Sequence, residues 1–170
     1  MPPRRAANTR TASSADHAGI DDVDAVLEAC RSLVAISAWS VESVADQVDL
    51  VQLRVLVVLA TRGASSLKDV ADAARLHLTR ASRACDRLVG KRLINRSDDP
   101  LDRRVLQLSL TPAGDAVVRK VMNARRDAVA PVLAAMSSTR RTELVRSLRA
   151  FADASGSIGH GDVSALAWTQ

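Results

Sequence analysis

Apolar residues recur at helical spacing through Ile20, Val23, Leu27, Cys30, Val34, Val41 and Val44, which predicts a long amphipathic helix over 20–48. Asp21, Asp22 and Asp24 suit its first turns, where the helix dipole favours anions. Residues 50–62 are apolar nearly all round and end at Gly63, the pattern of a buried helix closed by a glycine cap. Ser66 to Asp69 has the form of a capping box opening a short helix over 67–74. A tight break at 75–78 follows, then a helix over 79–91. Its inward positions are Ala81, Cys85 and Leu88, and its outward ones Arg80, Ser82, Arg83, Asp86 and Arg87. Two short helices with a tight turn between them, the second basic outside, make a helix-turn-helix.

The period then changes. Leu106, Leu108 and Leu110 alternate with Gln107 and Ser109, a period of two that means strand. With Leu93 to Arg96 as its partner and the turn chemistry of Asp98-Asp99-Pro100 between them, it predicts a hairpin with a long charged tip. A hairpin directly after a helix-turn-helix is a wing. Thr111-Pro112 reads as an N-cap followed by proline at the first helical position. That helix is expected to run from 112 to about 130, where Pro131 kinks or breaks it. A last helix over 138–154 carries a stripe of Leu144, Leu148 and Phe151, with Val145 and Ala152 beside it.

The expected fold is therefore mainly α with a small β-hairpin wing. Residues 1–19 form a disordered basic tail and 20–48 an N-terminal dimerisation helix. A winged helix-turn-helix domain spans 49–111. C-terminal dimerisation helices follow over 112–154, and a flexible tail over 155–170. Two apolar-striped helices at opposite ends of the chain have no place on a lone winged domain. Packed across a two-fold axis they would set two recognition helices about 34 Å apart on a palindromic site.

Charge narrows the partner. The chain carries a formal net charge of +5, and the window Arg75–Arg104 alone holds nine basic and four acidic residues. The rest sums to zero, so the excess lies on the predicted reading helix and wing, as expected for a polyanionic partner. Arginine outnumbers lysine 21 to 3 throughout, so the clustering informs and the abundance does not. The longest apolar run, Val55–Ala60, is far short of the roughly 18 residues of a membrane span. The N-terminus lacks the apolar core of a secretory signal, and two cysteines make no disulfide framework. A cytoplasmic protein with no membrane partner is expected. His17, His77 and His160 lack ligand spacing, so neither a metal nor a cofactor is expected. No phosphate-cradling loop, nucleophile elbow or zinc-protease pair occurs, which argues against an enzyme.

Residues Leu50 to Gly114 resemble the multiple-antibiotic-resistance regulator (MarR) family of winged-helix transcription factors. The most specific piece is Asp99-Pro100-Leu101-Asp102-Arg103-Arg104 followed by Leu108-Ser109-Leu110-Thr111-Pro112-Ala113-Gly114, similar to that family's wing signature. Asp86-Arg87-Leu88 with Leu93-Ile94-Asn95-Arg96, and Val70-Ala71, fit in the same order. Arg92 stands where the family usually has glycine, and Arg140 and Arg141 open the last helix where acids are usual. The resemblance implies a homodimeric repressor bound to a pseudo-palindromic operator on double-stranded DNA.

Thr79, Arg80, Ser82, Arg83, Arg87, Arg96, Arg103 and Arg104 are the candidate DNA contacts. Arg80 and Arg83 have the fork geometry for guanine edges in the major groove, and Arg87 suits phosphate. Arg103 and Arg104 suit a narrow minor groove, and by resemblance Asp102 orients a wing arginine. The resemblance also implies release by a small aromatic or anionic ligand, for which Trp39, Arg54 and His77 are candidates. Another branch senses peroxides through a cysteine in the first helix, where Cys30 lies. That branch pairs the cysteine with tyrosines, and this chain has none, which favours an inert Cys30. A winged helix used only for protein contacts is the remaining alternative.

Overall fold

The computed structural model describes residues 13–98 and 106–157. Its elements run α1 (Ser13–Glu42), α2 (Leu50–Arg62), β1 (Ser65–Ser66), α3 (Leu67–Ala73), α4 (Leu78–Gly90), β2 (Ile94–Asp98), β3 (Leu106–Leu110), α5 (Pro112–Ala134) and α6 (Ser138–Ser157). The chain divides into two compact units after Ala38. The described part of the first is most of α1, and everything from Trp39 onward belongs to the second. The expected winged helix-turn-helix is present as α2, α3, α4 and a three-stranded antiparallel sheet ordered β1-β3-β2.

Helix α2 is the hub of the core. Leu53 and the run Val55–Leu59 are buried on it, which is why its sequence is apolar nearly all round. Val70 and Ala74 below, Ala84, Cys85 and Leu88 from α4, Ile94 and Leu108 from the sheet, and Val117, Val118 and Val121 from α5 close around it. Asp49 caps α2 by accepting from the Gln52 amide (2.8 Å), while the Gln52 side chain accepts from the Asp49 amide (3.3 Å). That reciprocal pair is a capping box, with aspartate in the place of the usual serine or threonine.

Both helices of the reading motif end alike. After α3, Leu76 N–H bonds the Ala71 carbonyl (2.8 Å) and Arg75 N–H that of Asp72 (3.1 Å), with Arg75 at φ 51°. After α4, Leu93 N–H bonds Leu88 (2.9 Å) and Arg92 N–H bonds Val89 (2.9 Å), with Arg92 at φ 57°. These are Schellman closures, which normally place glycine in the left-handed position. An arginine there costs about 1 kcal/mol of backbone strain. The substitution of Arg92 for the usual glycine thus alters no bond of the cap.

The wing is fastened to α5 at its root. Thr111 N–H and Oγ1 both reach the Leu93 carbonyl (3.1 Å each), and Oγ1 donates to Arg92 O (2.8 Å). Thr111 Oγ1 also accepts from Gly114 N–H (3.1 Å), the N-cap expected of Thr-Pro.

Several boundaries differ from expectation. Helix α1 starts at Ser13, inside the stretch expected to be a tail, and stops at Glu42 instead of 48. Tight turns carry 43–48 onward, with Val44 N–H on Val41 (3.1 Å) and Val48 N–H on Val44 (3.0 Å). These i+3 and i+4 bonds keep Val44 and Val48 buried, so the apolar period outlasts the helix. Pro131 does not end α5, which continues to Ala134. Only one turn remains beyond it, so the missing N–H removes a single bond, and Ala135 N–H still reaches the Pro131 carbonyl (3.0 Å). Helix α6 extends to Ser157. Strand β1 pairs Ser65 with Leu108 and Ser66 with Gln107, and two serines carry no strand pattern to read. Leu106 alternates as expected yet is exposed, because it lies at the outer end of the hairpin, opposite Asp98. No helix among the described residues is long and apolar enough to cross a membrane.

Candidate nucleic-acid interface

Helix α4 presents its charge outward because its other face is filled. Ala81, Ala84, Cys85 and Leu88 are buried, leaving Thr79, Arg80, Arg83 and Arg87 exposed and Ser82 half-buried. Arg80, Arg83 and Arg87 fall at i, i+3 and i+7, a row about 10 Å long on one side of the helix. With His77 and Thr79 they line a shallow cleft of about 410 Å³. His77 is the N-cap of this helix, its Nδ1 accepting from Thr79 N–H at 3.4 Å. It therefore belongs with the arginine row.

The ends of α4 are tied to neighbouring elements. Arg96 on β2 donates to Asp86 on α4 at 2.6 Å, so this candidate DNA contact also braces the wing against the helix. Arg87 faces Asp49, the cap of α2, at 3.8 Å with both side chains exposed. An exposed pair of this kind contributes little stability, and Arg87 stays available to a phosphate. Lys91 Nζ donates to the Gln47 carbonyl (2.6 Å) and to Gln52 Oε1 (3.0 Å). These ties escaped sequence reading because each joins residues at least ten apart.

Asp102, Arg103 and Arg104 lie outside the described residues, as do the tail arginines Arg4, Arg5 and Arg10. The three candidates for a ligand do not converge. Arg54 Nη2 donates to the Ala74 carbonyl, closing the C-terminus of α3. His77 sits on the cleft of the arginine row. Trp39, exposed, lines a separate pocket with Glu42, Ser43 and Ala124. An arginine set inside the apolar run of α2 was as legible as a structural tie as it was as a ligand contact.

The MarR family model matches residues 48–106, which takes in α2, α3, α4 and the first wing strand. The crystal structure of RV1404 from Mycobacterium tuberculosis is similar over 91% of this chain and 99% of its own, at 36% identity and a TM-score of 0.74. The chain belongs to the MarR family. A second solved relative of this MarR chain is BpsR of Bordetella bronchiseptica, at 27% identity and a TM-score of 0.51. That likeness covers 77% of this chain and 93% of BpsR, whose DNA binding is regulated by 6-hydroxynicotinic acid. Among curated proteins, the HTH-type transcriptional repressor MdtR of Bacillus subtilis is 34% identical over 82 residues, 48% of this chain. That match spans about half (53%) of MdtR.

The two cysteines of this MarR-family chain differ sharply. Cys85 is fully buried behind the arginine row, and burial pushes its thiol from the ordinary 9.0 up to about 11. Neighbouring Arg96 opposes the shift and Asp86 adds to it, both less than burial does. Cys30 on α1 is only half-buried. A maleimide at pH 8 is therefore expected to spare Cys85 in the native protein and to label it in urea. Mass spectrometry of the labelled peptides checks this, and native labelling of Cys85 would contradict its burial.

Proposed function

We propose that this protein is a homodimeric, sequence-specific repressor that binds a pseudo-palindromic operator in double-stranded DNA and is released by a small aromatic or anionic ligand. The observation that carries the DNA reading is the row Arg80, Arg83 and Arg87, exposed on a helix whose opposite face is locked in the core. Arg80 and Arg83 lie in the N-terminal half of α4, the half that enters a major groove. They read base edges, with Thr79 and Ser82 as shorter partners. Arg87 holds phosphate, Arg96 braces the wing, and Arg103 and Arg104 reach the minor groove.

The dimer reading is supported by uncovered apolar side chains. On α6 the only half-buried large apolar residue is Leu144, while Val145, Leu148 and Phe151 are exposed. On α1, Val23, Leu27 and Val34 are each more than half exposed. Such stripes are stable in water only when covered. The ligand reading is supported by the Trp39 pocket. It shares Ser43 and Ala124 with an adjoining cleft that adds Arg119, Lys120, Asn123 and Asp127. The aromatic face thus lies beside two cations, with Glu42 and Asp127 also on the lining and Arg119 paired with Asp115.

Fluorescence anisotropy on a duplex from upstream of the protein's own gene, against a scrambled duplex over a salt series, tests the reading. A preference of about 10³-fold with a steep salt slope is expected. Arg83→Ala is expected to cost about 1–3 kcal/mol of specific binding. Absence of binding to any duplex at low salt would overturn the proposal in favour of a protein-contact module.

A further inference from the structure

Lys91 closes α4 at the end away from Arg80, and its surroundings are unusual for a basic residue on a DNA-binding helix. Its ammonium is engaged by protein acceptors, Gln47 O at 2.6 Å and Gln52 Oε1 at 3.0 Å. Gln52 is 2% exposed, in the first turn of α2 where the buried apolar face of that helix begins. Its amide oxygen takes the Lys91 ammonium and the Asp49 N–H together. A buried amide is retained at such a place only if its hydrogen bonds are filled, and here Lys91 fills one of them. Arg87, one turn before Lys91, faces the same cap through Asp49.

We infer that Gln52 and Lys91 are positioning residues for DNA recognition, orienting α4 from its C-terminal end, and that Lys91 is not a phosphate contact. The inference rests on the DNA-binding reading above. Helix α4 is a lever of 13 residues, about 20 Å long. Its inner face is packed in the core through Ala81, Ala84, Cys85 and Leu88, this tie fixes its C-terminal end, and it reads bases toward the other end. A tilt of about 5° at Lys91 moves Arg80 by more than 1 Å, enough to break a two-point contact to guanine. The tie also explains why a lysine is used. A compact ammonium with three donors serves two acceptors from different elements, which a planar guanidinium fits less well.

The test compares wild type, Lys91→Met, Gln52→Leu and the double variant on operator and scrambled duplexes over a salt series. Each single variant is expected to weaken operator binding about 10-fold while leaving scrambled-duplex affinity and the salt slope unchanged. The double variant is expected to be no worse than either single. Equal weakening on both duplexes with a slope lower by about 1 would make Lys91 a phosphate contact and overturn the inference. Additive losses would overturn it too. Gln52→Glu keeps an acceptor for Lys91 and is expected to retain wild-type discrimination, which guards against a simple folding defect. Amide exchange at residues 87–91 supplies a readout without DNA. Lys91→Met is expected to accelerate it, and unchanged exchange overturns the tie even if wild type selects no duplex. That last result is the failure of the DNA reading itself.

Discussion

Gly114→Ala is expected to destabilise the protein by about 3 kcal/mol or more, lowering its midpoint of thermal unfolding by about 10 °C. Gly114 is buried in the first turn of α5, and a methyl built there overlaps the Leu93 carbonyl oxygen. The Leu93 carbonyl carbon would lie at 3.0 Å and Leu110 Cδ2 at 3.1 Å. The Leu110 methyl can turn aside, but the Leu93 backbone is not free to retreat. Leu93 O is held by Thr111, and its backbone is the closure of α4. Relief would have to separate the root of the wing from α5. Circular dichroism during a thermal scan, with the soluble fraction as a second readout, checks it. A midpoint within about 2 °C of wild type would mean that Gly114 is not pressed against the wing root.

The second large effect concerns assembly. Leu148→Asp with Phe151→Asp is expected to give a monomer at micromolar concentration and to weaken operator binding by more than about 100-fold. Burying a leucine and a phenylalanine contributes about 1.5–3 kcal/mol each. A two-fold interface loses each side chain twice, so on the order of 6–12 kcal/mol of burial is at stake. A monomer then has one half-site instead of two. Sedimentation gives the assembly state, and Arg83→Ala should remain a dimer while binding the operator more weakly. A double-Asp variant that sediments as a dimer would remove α6 from the interface.

The reading motif was legible because its signals are local. Alternation over Leu106–Leu110, the inward row Ala81, Cys85 and Leu88, and Thr111-Pro112 each report on neighbours within a turn or a strand. The same locality explains the errors. Val44 and Val48 kept helical spacing through a chain of turns, which extended α1 on paper beyond Glu42. Pro131 was read for its effect in mid-helix, whereas it sits one turn from an end. In the candidate site, Arg80, Arg83 and Arg87 were visible as a row because one helix carries them. That His77 lines the same cleft was not visible, because its place as the cap of α4 depends on where that helix starts. The ties of Asp86 to Arg96 and Lys91 to Gln52 span 10 and 39 residues, and no one-dimensional pattern encodes a meeting at that distance.

The two arginines in left-handed backbone positions have a consequence for how the protein meets DNA. Between Gly63 and Gly90 the chain contains no glycine and no proline. The corner between α3 and α4 and the exit into the wing are thus closed by residues with far narrower conformational choice than glycine has. Arg75 and Arg92 give up some native-state comfort, and in exchange the unfolded chain has less freedom to lose. Joints of this kind resist bending. The reading helix meets its target already oriented, so little ordering entropy is spent at the moment of contact.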